Sequence, residues 1–404
     1  MADAIASRAL AATVVALGIG QIISWGSLFY TVAVLGPALA RAAGVGEVAL
    51  FAAFSAGLVV SGLIAPSVGR RIDTHGGRNV LSMGSVLAAM ACAALALVQG
   101  PATMVIAWLL AGVAMAATLY DPAFATLNDV AGPHYRRAVT ALTLFGGLAS
   151  TVFWPLSHVL LEHAGLRETF AIYAALNLVV CLPLHWWFIP PRPPRAAQAA
   201  AARSVAAPSP HAARAFLWLA TALALVSLVA SGVSAHLIGL LTASGLDVGD
   251  AVFIGAMFGP MQVAGRVMEF AFARHIGPVA AGYLAFAAMA VSLVIFAVQG
   301  GVYALALLFV LTYGWSNGVL TIVRGTVPAE LFGREGYGAL LGRLALPQVI
   351  ARALAPATVA GILVLDPSRA ATLVTFVVCG VLACVAYRRA IIAARREKES
   401  EVDR

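Results

Sequence analysis

The sequence predicts an all-α integral membrane protein with twelve transmembrane helices in two halves of six. Three observations carry this. The 404 residues are 62% hydrophobic and only 10% charged, whereas a soluble domain holds roughly 45–50% apolar and 25% charged residues. The apolar residues gather into twelve runs, each near the roughly 20 residues a helix needs to cross the hydrocarbon core. Lysine and arginine then fall mostly into alternate connections, the mark of a chain threading back and forth across a bilayer. A net charge of +8 suits such loops and does not point to nucleic acid.

The first run, 10–34, follows Arg8 and resembles a signal peptide at its start. It continues through Trp25 to Leu39, too long for a cleaved segment, and is read as the first span. Spans two to six are expected at 48–68, 79–98, 102–124, 138–161 and 168–189. Spans seven to twelve are expected at 215–242, 251–272, 279–298, 302–325, 338–364 and 370–389. Gly and Pro recur inside them, which membrane helices tolerate better than soluble ones.

The longest polar connection, 190–214, is rich in Pro, Ala and Ser and reads as a flexible or extended linker. It divides the chain into an N-terminal half, 1–189, a cytoplasmic linker, and a C-terminal half, 215–404, with a short cytoplasmic tail. Pro155 in span five and Pro356 in span eleven are similarly placed, 201 residues apart, which agrees with two related halves. A six-plus-six array with a midplane cavity suits alternating access.

Charge placement orients the chain. With a cytoplasmic N-terminus, 18 of the 25 basic residues face the cytoplasm and three, Arg41, Arg167 and Arg369, face outside. Both termini are then cytoplasmic. The other four, Arg266, Arg324, Arg343 and Arg352, fall inside spans. Cys92, Cys181, Cys379 and Cys384 lie in apolar runs without a CxxC pair, so neither a disulfide framework nor a metal site is expected.

Arg352 is the most informative residue. A guanidinium near the bilayer centre costs about 2.5–3.5 kcal/mol on insertion scales, so it faces a partner, a cavity or a substrate. No acid lies within one helical turn of it; Gln348 and Pro356 are its neighbours. Arg266 has Glu269 three residues on and Gln262 one turn before, so a structural ion pair and a substrate contact are both open. Two buried cations would suit a small anion. Arg324 and Arg343 lie nearer the cytoplasmic ends and can snorkel.

Gln21, Trp25, Tyr30, Tyr313, Trp315 and Asn317 lie near the middle of spans one and ten. A pocket combines apolar walls with a few orienting polar groups, and an amide in hydrocarbon needs a partner. Most aromatic residues in spans are packing, so Gln21 and Asn317 weigh more than any one ring. Arg266, Arg352, Gln262, Gln21, Trp25, Tyr313 and Asn317 form the candidate substrate set. Asp121 and Glu269 could carry a coupling proton if desolvated, as could His236 or His158; Asp121 could equally pair with Arg136 or Arg137. His185, beside Trp186 and Trp187, reads as interfacial.

No nucleophile elbow, phosphate-binding P-loop, HExxH or paired-aspartate site occurs in the sequence, so no catalytic residues, cofactor or metal are expected.

The turn after span two reads Gly69-Arg70-Arg71-Ile72-Asp73-Thr74-His75-Gly76-Gly77-Arg78. It resembles the signature GxxxDxxGxR of the major facilitator superfamily, matched by Gly69, Asp73, Gly76 and Arg78. The resemblance implies the major facilitator fold over the whole chain. It also implies that this acid and arginine act as a gate, latching one half against span eleven. Other family motifs are degraded. Trp108 to Gly112 lacks the arginine of the fourth-span pattern, and Gly146, Gly147 and Pro155 keep little of the antiporter pattern of span five. The segment Gln21 to Tyr30, with Gly265-Arg266 and Arg324-Gly325, is similar to bacterial relatives of the monocarboxylate and oxalate/formate porters. In that group basic residues of spans eight and eleven bind the substrate carboxylate, which implies that role for Arg266 and Arg352.

The reading is therefore a secondary transporter of a small organic anion, a carboxylate before others, in a bacterial inner membrane. Its expected partners are that substrate, the lipid bilayer and a coupling proton, with no nucleic acid, and the expected form is a monomer. A proton-coupled drug or metabolite efflux pump is the alternative. A non-transporting membrane sensor is the alternative of another class; it would normally carry a soluble output domain.

Overall fold

With no water in the hydrocarbon core, a backbone must satisfy its own N–H and C=O groups, so long apolar runs fold as helices. The structure, a computed structural model, describes residues 2–191, 210–273, 275–366 and 368–402. Among them, every regular element is helical. Twelve helical segments are long and apolar enough to cross a membrane: Arg8–Ala43, Val48–His75, Gly77–Ala96, Pro101–Val130, Gly132–His163, Leu166–Phe188, His211–Ala243, Gly249–Phe272, Pro278–Val298, Tyr303–Phe332, Tyr337–Leu365 and Ala370–Glu397. They are numbered here as spans one to twelve.

Each expected span is found, and several run longer than expected. Hydropathy marks only the part of a helix that needs hydrocarbon, while the helix itself continues through polar turns. Span four is the clearest case: it reaches Val130, so Asp121 lies well inside it rather than at its end.

Tertiary contacts divide the chain into two compact units. The first is Met1–Val205 with Arg334–Leu346, and the second is Ala206–Gly333 with Pro347–Arg404. The first turns of span eleven thus belong with spans one to six. Of the expected linker 190–214, residues 192–209 lie outside the described residues, and helix resumes at Pro210.

Within the first unit, spans two and four meet backbone to backbone. A Cβ on Gly57 would lie 2.3 Å from the Trp108 carbonyl oxygen, and one on Gly112 only 2.0 Å from that of Gly57. Within the second unit, spans eight and ten do the same. A Cβ on Gly318 would lie 2.2 Å from the Gln262 carbonyl oxygen, and one on Gly265 2.5 Å from that of Trp315. Small residues allow membrane helices this approach. Span three packs on spans four and six, as span nine packs on ten and twelve. An internal repeat produces such a correspondence.

Gly112→Ala should therefore destabilise the protein by about 1–3 kcal/mol through overpacking. A Cβ on Gly239 meets nothing within 4 Å, so Gly239→Ala should be neutral or stabilising. Apparent melting temperatures of the two purified variants check this. Similar values for both would mean that the close approach is not needed.

His185 corrects one expectation. It is fully buried rather than interfacial, with Nδ1 2.8 Å from Ser85 Oγ and 3.2 Å from the Leu81 carbonyl oxygen. Trp186 and Trp187 are exposed. Each residue along a helix is rotated by about 100° from the one before, so neighbours in sequence need not share an environment.

Candidate functional site

In the first unit the notable feature is a break in span four. Pro122 has no N–H to give the Thr118 carbonyl four residues earlier. The helix Pro101–Thr118 stops, Leu119 adopts φ −77° and ψ −160°, and a new helix runs from Tyr120 to Val130. Gln21 of span one fills the gap. Its Nε2 donates to the Thr118 carbonyl at 2.7 Å, and its Oε1 accepts from Trp25 Nε1 at 3.1 Å. Gln21 is fully buried and Trp25 is nearly so. The Trp25 ring lies 5.2 Å from Tyr120 and 5.9 Å from Tyr30. Asp121 stands half-buried in the first turn after the break.

Span one changes to a π turn at Trp25–Tyr30, and span six does so at Asn177–Cys181. The two are joined where Asn177 Nδ2 donates to Ser27 Oγ at 3.0 Å. Such wide turns often mark functional positions in helices.

In the second unit, the backbone contact of spans eight and ten brings two sets of candidates together. Arg266 is 5% exposed, with Nη2 3.5 Å from Gln262 Oε1, and Glu269 is also buried. On span ten, Tyr313 is fully buried and stacked on Phe258 at 5.4 Å. Among the described residues Trp315 Nε1 is buried with no hydrogen-bond partner, although a buried polar group without one is costly.

Span eleven carries Gln348, buried, and Arg352, half-buried. Pro356 leaves the Arg352 carbonyl without its helical donor. Ser231 of span seven supplies the replacement, its hydroxyl donating at 2.8 Å. His236 of the same span donates through Nε2 to the Pro356 carbonyl at 3.1 Å. His158, the other histidine considered for proton relay, is 73% exposed and lies 3.8 Å from Glu162.

The signature turn is built at the end of span two. Gly76 has φ 80°, the left-handed region that favours glycine. A Cβ on Gly69 would fall 1.9 Å from the Gly338 carbonyl oxygen, so glycine lets span two touch the start of span eleven. There Asp73 accepts from two backbone N–H groups, Gly338 at 2.8 Å and Ala339 at 2.7 Å. The first N–H groups of a helix have no partner within it, and its positive end favours an anion. Asp73 thus caps span eleven. Arg78 does not share this contact: its guanidinium stacks on the Trp186 ring at 4.4 Å. The expected pair of acid and arginine is therefore split between spans eleven and six.

A second clasp lies beside it. Arg334 donates to Asn128 Oδ1 at 2.7 Å, to the Asn128 carbonyl at 2.9 Å and to the Gly132 carbonyl at 2.6 Å. It also lies over the Tyr135 ring, and the Tyr135 hydroxyl donates to that of Tyr337 at 3.0 Å. Sequence reasoning passed over Arg334 because one arginine in a basic loop carries no distinguishing pattern. Ser231 was missed too, although Pro356 announces a carbonyl in need of a donor.

The model of the Major Facilitator Superfamily matches residues 17–356. The chain belongs to the major facilitator superfamily. It is a multi-pass membrane transporter and not an enzyme. A relative from Thermoproteus tenax, described as an uncharacterized 38 kDa protein in 23S RNA operon, is 28% identical over 389 residues, 95% of each chain. The crystal structure of the human organic anion transporter MFSD10 (TETRAN) is similar with a TM-score of 0.75 at 18% identity, covering 94% of this chain and 99% of that one. The E. coli fucose:proton symporter FucP is similar with a TM-score of 0.69 at 13% identity, covering 93% and 98%. These structures share the fold. Among the described residues no group of three or more His, Cys, Asp or Glu side chains is placed to hold a metal ion.

Proposed function

We propose that this major facilitator protein is a secondary transporter of a small organic anion, moved by alternating access across a bacterial inner membrane with both termini in the cytoplasm. The observation that carries the reading is the burial of Arg266 inside span eight, beside Gln262, with a second guanidinium, Arg352, inside span eleven. Arginine stays charged at any accessible pH, and its planar fork matches a carboxylate. A carboxylate is therefore the preferred anion, as in the monocarboxylate and oxalate/formate porter group.

Trp315 adds a buried donor with no hydrogen-bond partner among the described residues, and Asn317 lies two positions along span ten, which suits orientation of a polar ligand. Tyr313 and Phe258 supply an apolar wall. In the first unit, Gln21 and Trp25 brace the break in span four. In this reading Trp25 and the half-buried Tyr30 ring beside it meet substrate while the Gln21 amide holds the frame. Asp121, Glu269 and His236 are the residues proposed for a coupling proton, and the protein works as a monomer. At 18% identity the human organic anion transporter shares the fold, and the anion assignment stands on the arginines of this chain.

A thermal-shift screen of the purified protein against mono- and dicarboxylates tests the assignment. A ligand selective for the folded state raises apparent stability, by about 2.7 kcal/mol at one hundred times its Kd. The expected result is stabilisation by at least one carboxylate and not by its amide. Stabilisation by cationic drugs alone would sink it.

A further inference from the structure

The ends of spans seven and twelve flank a basic groove apart from the candidate substrate residues. Its cavity of about 470 Å³ is lined by His211, Arg214 and Trp218 of span seven and by Arg388, Arg389 and Arg396 of span twelve. A second hollow of about 490 Å³ shares Arg214, Trp218 and Arg389 with it and extends along Leu217. Among the described residues no carboxylate lines either hollow. We propose that this groove binds the phosphate headgroup of an anionic glycerophospholipid.

Four guanidiniums line one cavity, and like charges held together repel unless an anion sits among them. The arginine fork pairs with phosphate oxygens through two parallel N–H donors. Arg389 is already oriented, its guanidinium 5.4 Å from the Trp218 ring centre. The positive-inside pattern asks only for basic residues near a span end. It does not ask that they surround a cavity.

A lipid is favoured over free phosphate by what flanks the charges. Leu217 is 62% exposed, Val385 45% and Ile392 41%. These apolar side chains lie on the same two helices as the arginines and offer a surface for acyl chains. Trp218 stands where an amphipathic ring marks the headgroup level. Basic pockets between membrane helices at the arginine-rich side suit anionic headgroups.

The test uses the full chain purified in detergent, with phosphatidylglycerol, phosphatidylcholine of the same acyl chains, or inorganic phosphate added. Retained lipid is counted by native mass spectrometry, and stability is followed by melting temperature. Phosphatidylglycerol should be retained and raise the melting temperature, while the other two should not. The Arg388→Gln/Arg389→Gln double variant should weaken retention by about tenfold or more. Arg70→Gln/Arg71→Gln, which removes two exposed charges elsewhere, should leave it unchanged. Arg396→Gln, a milder change, should weaken it measurably if the double variant fails to fold.

Equal stabilisation by inorganic phosphate would assign the groove to a free anion and overturn the proposal. So would equal loss in both double variants, which would mean diffuse attraction. If phosphatidylglycerol binds only after residues 397–404 are removed, the acidic tail occupies the groove and the lipid reading falls.

Discussion

Arg352→Gln should reduce affinity for the substrate anion by roughly 30-fold or more, while Arg352→Lys should keep part of it. A charge-assisted contact in a dry site is worth about 2–5 kcal/mol, and each 1.4 kcal/mol is tenfold. Lysine keeps the charge and loses the fork. The Arg352 carbonyl, which Pro356 leaves without a helical donor, is held by Ser231, so the side chain starts from a fixed point. Arg266→Gln should behave similarly if Arg266 meets substrate. If its main partner is Glu269 instead, the added change Glu269→Gln should restore stability by removing the second buried charge. Equilibrium binding of the carboxylate found by screening, to folded wild type and Arg352→Gln, decides the matter. Equal affinities would remove Arg352 from the site and leave the anionic substrate without its main support.

Asp73→Asn should slow transport strongly and leave substrate affinity nearly intact. Asp73 accepts two N–H groups at the start of span eleven. Asparagine can accept one, and its amide N–H₂ then faces the other donor. Bonds to charged groups contribute about 1.5–3 kcal/mol each, and the helix end adds about 0.3–1 kcal/mol. A loss of about 2–3 kcal/mol shifts a two-state balance by roughly 30- to 150-fold. Arg78→Ala removes a stacking contact on Trp186, worth about 0.5–1 kcal/mol at an exposed site, so its effect should be smaller. Initial rates in proteoliposomes, set beside binding in detergent, separate the two. Wild-type rates for Asp73→Asn would discard the latch, as would abolished binding in a folded variant.

Much of the candidate site was legible residue by residue. Arg266 and Arg352 stand out because a charge in an apolar run is rare for a physical reason. The signature turn was legible because its glycines and acid sit at fixed offsets. The break in span four was half legible: Pro122 shows that the Thr118 carbonyl lacks its donor, but not that Gln21 supplies one. Asn177 joining Ser27, and Arg334 clasping Asn128, left no trace in the sequence.

By itself, then, the sequence determined the twelve helices, their approximate lengths and the turn that marks the family. These follow from local quantities: apolar run length against bilayer thickness, and residue types that a tight turn demands. Only the tertiary structure decided that Asp73 caps span eleven while Arg78 stacks on Trp186, that His185 is buried, and that Ser231 completes the helix beside Arg352. Each of these depends on which side chain from about one hundred or more residues away reaches an unsatisfied donor, acceptor or ring. Helix packing settles that, and no local pattern records it.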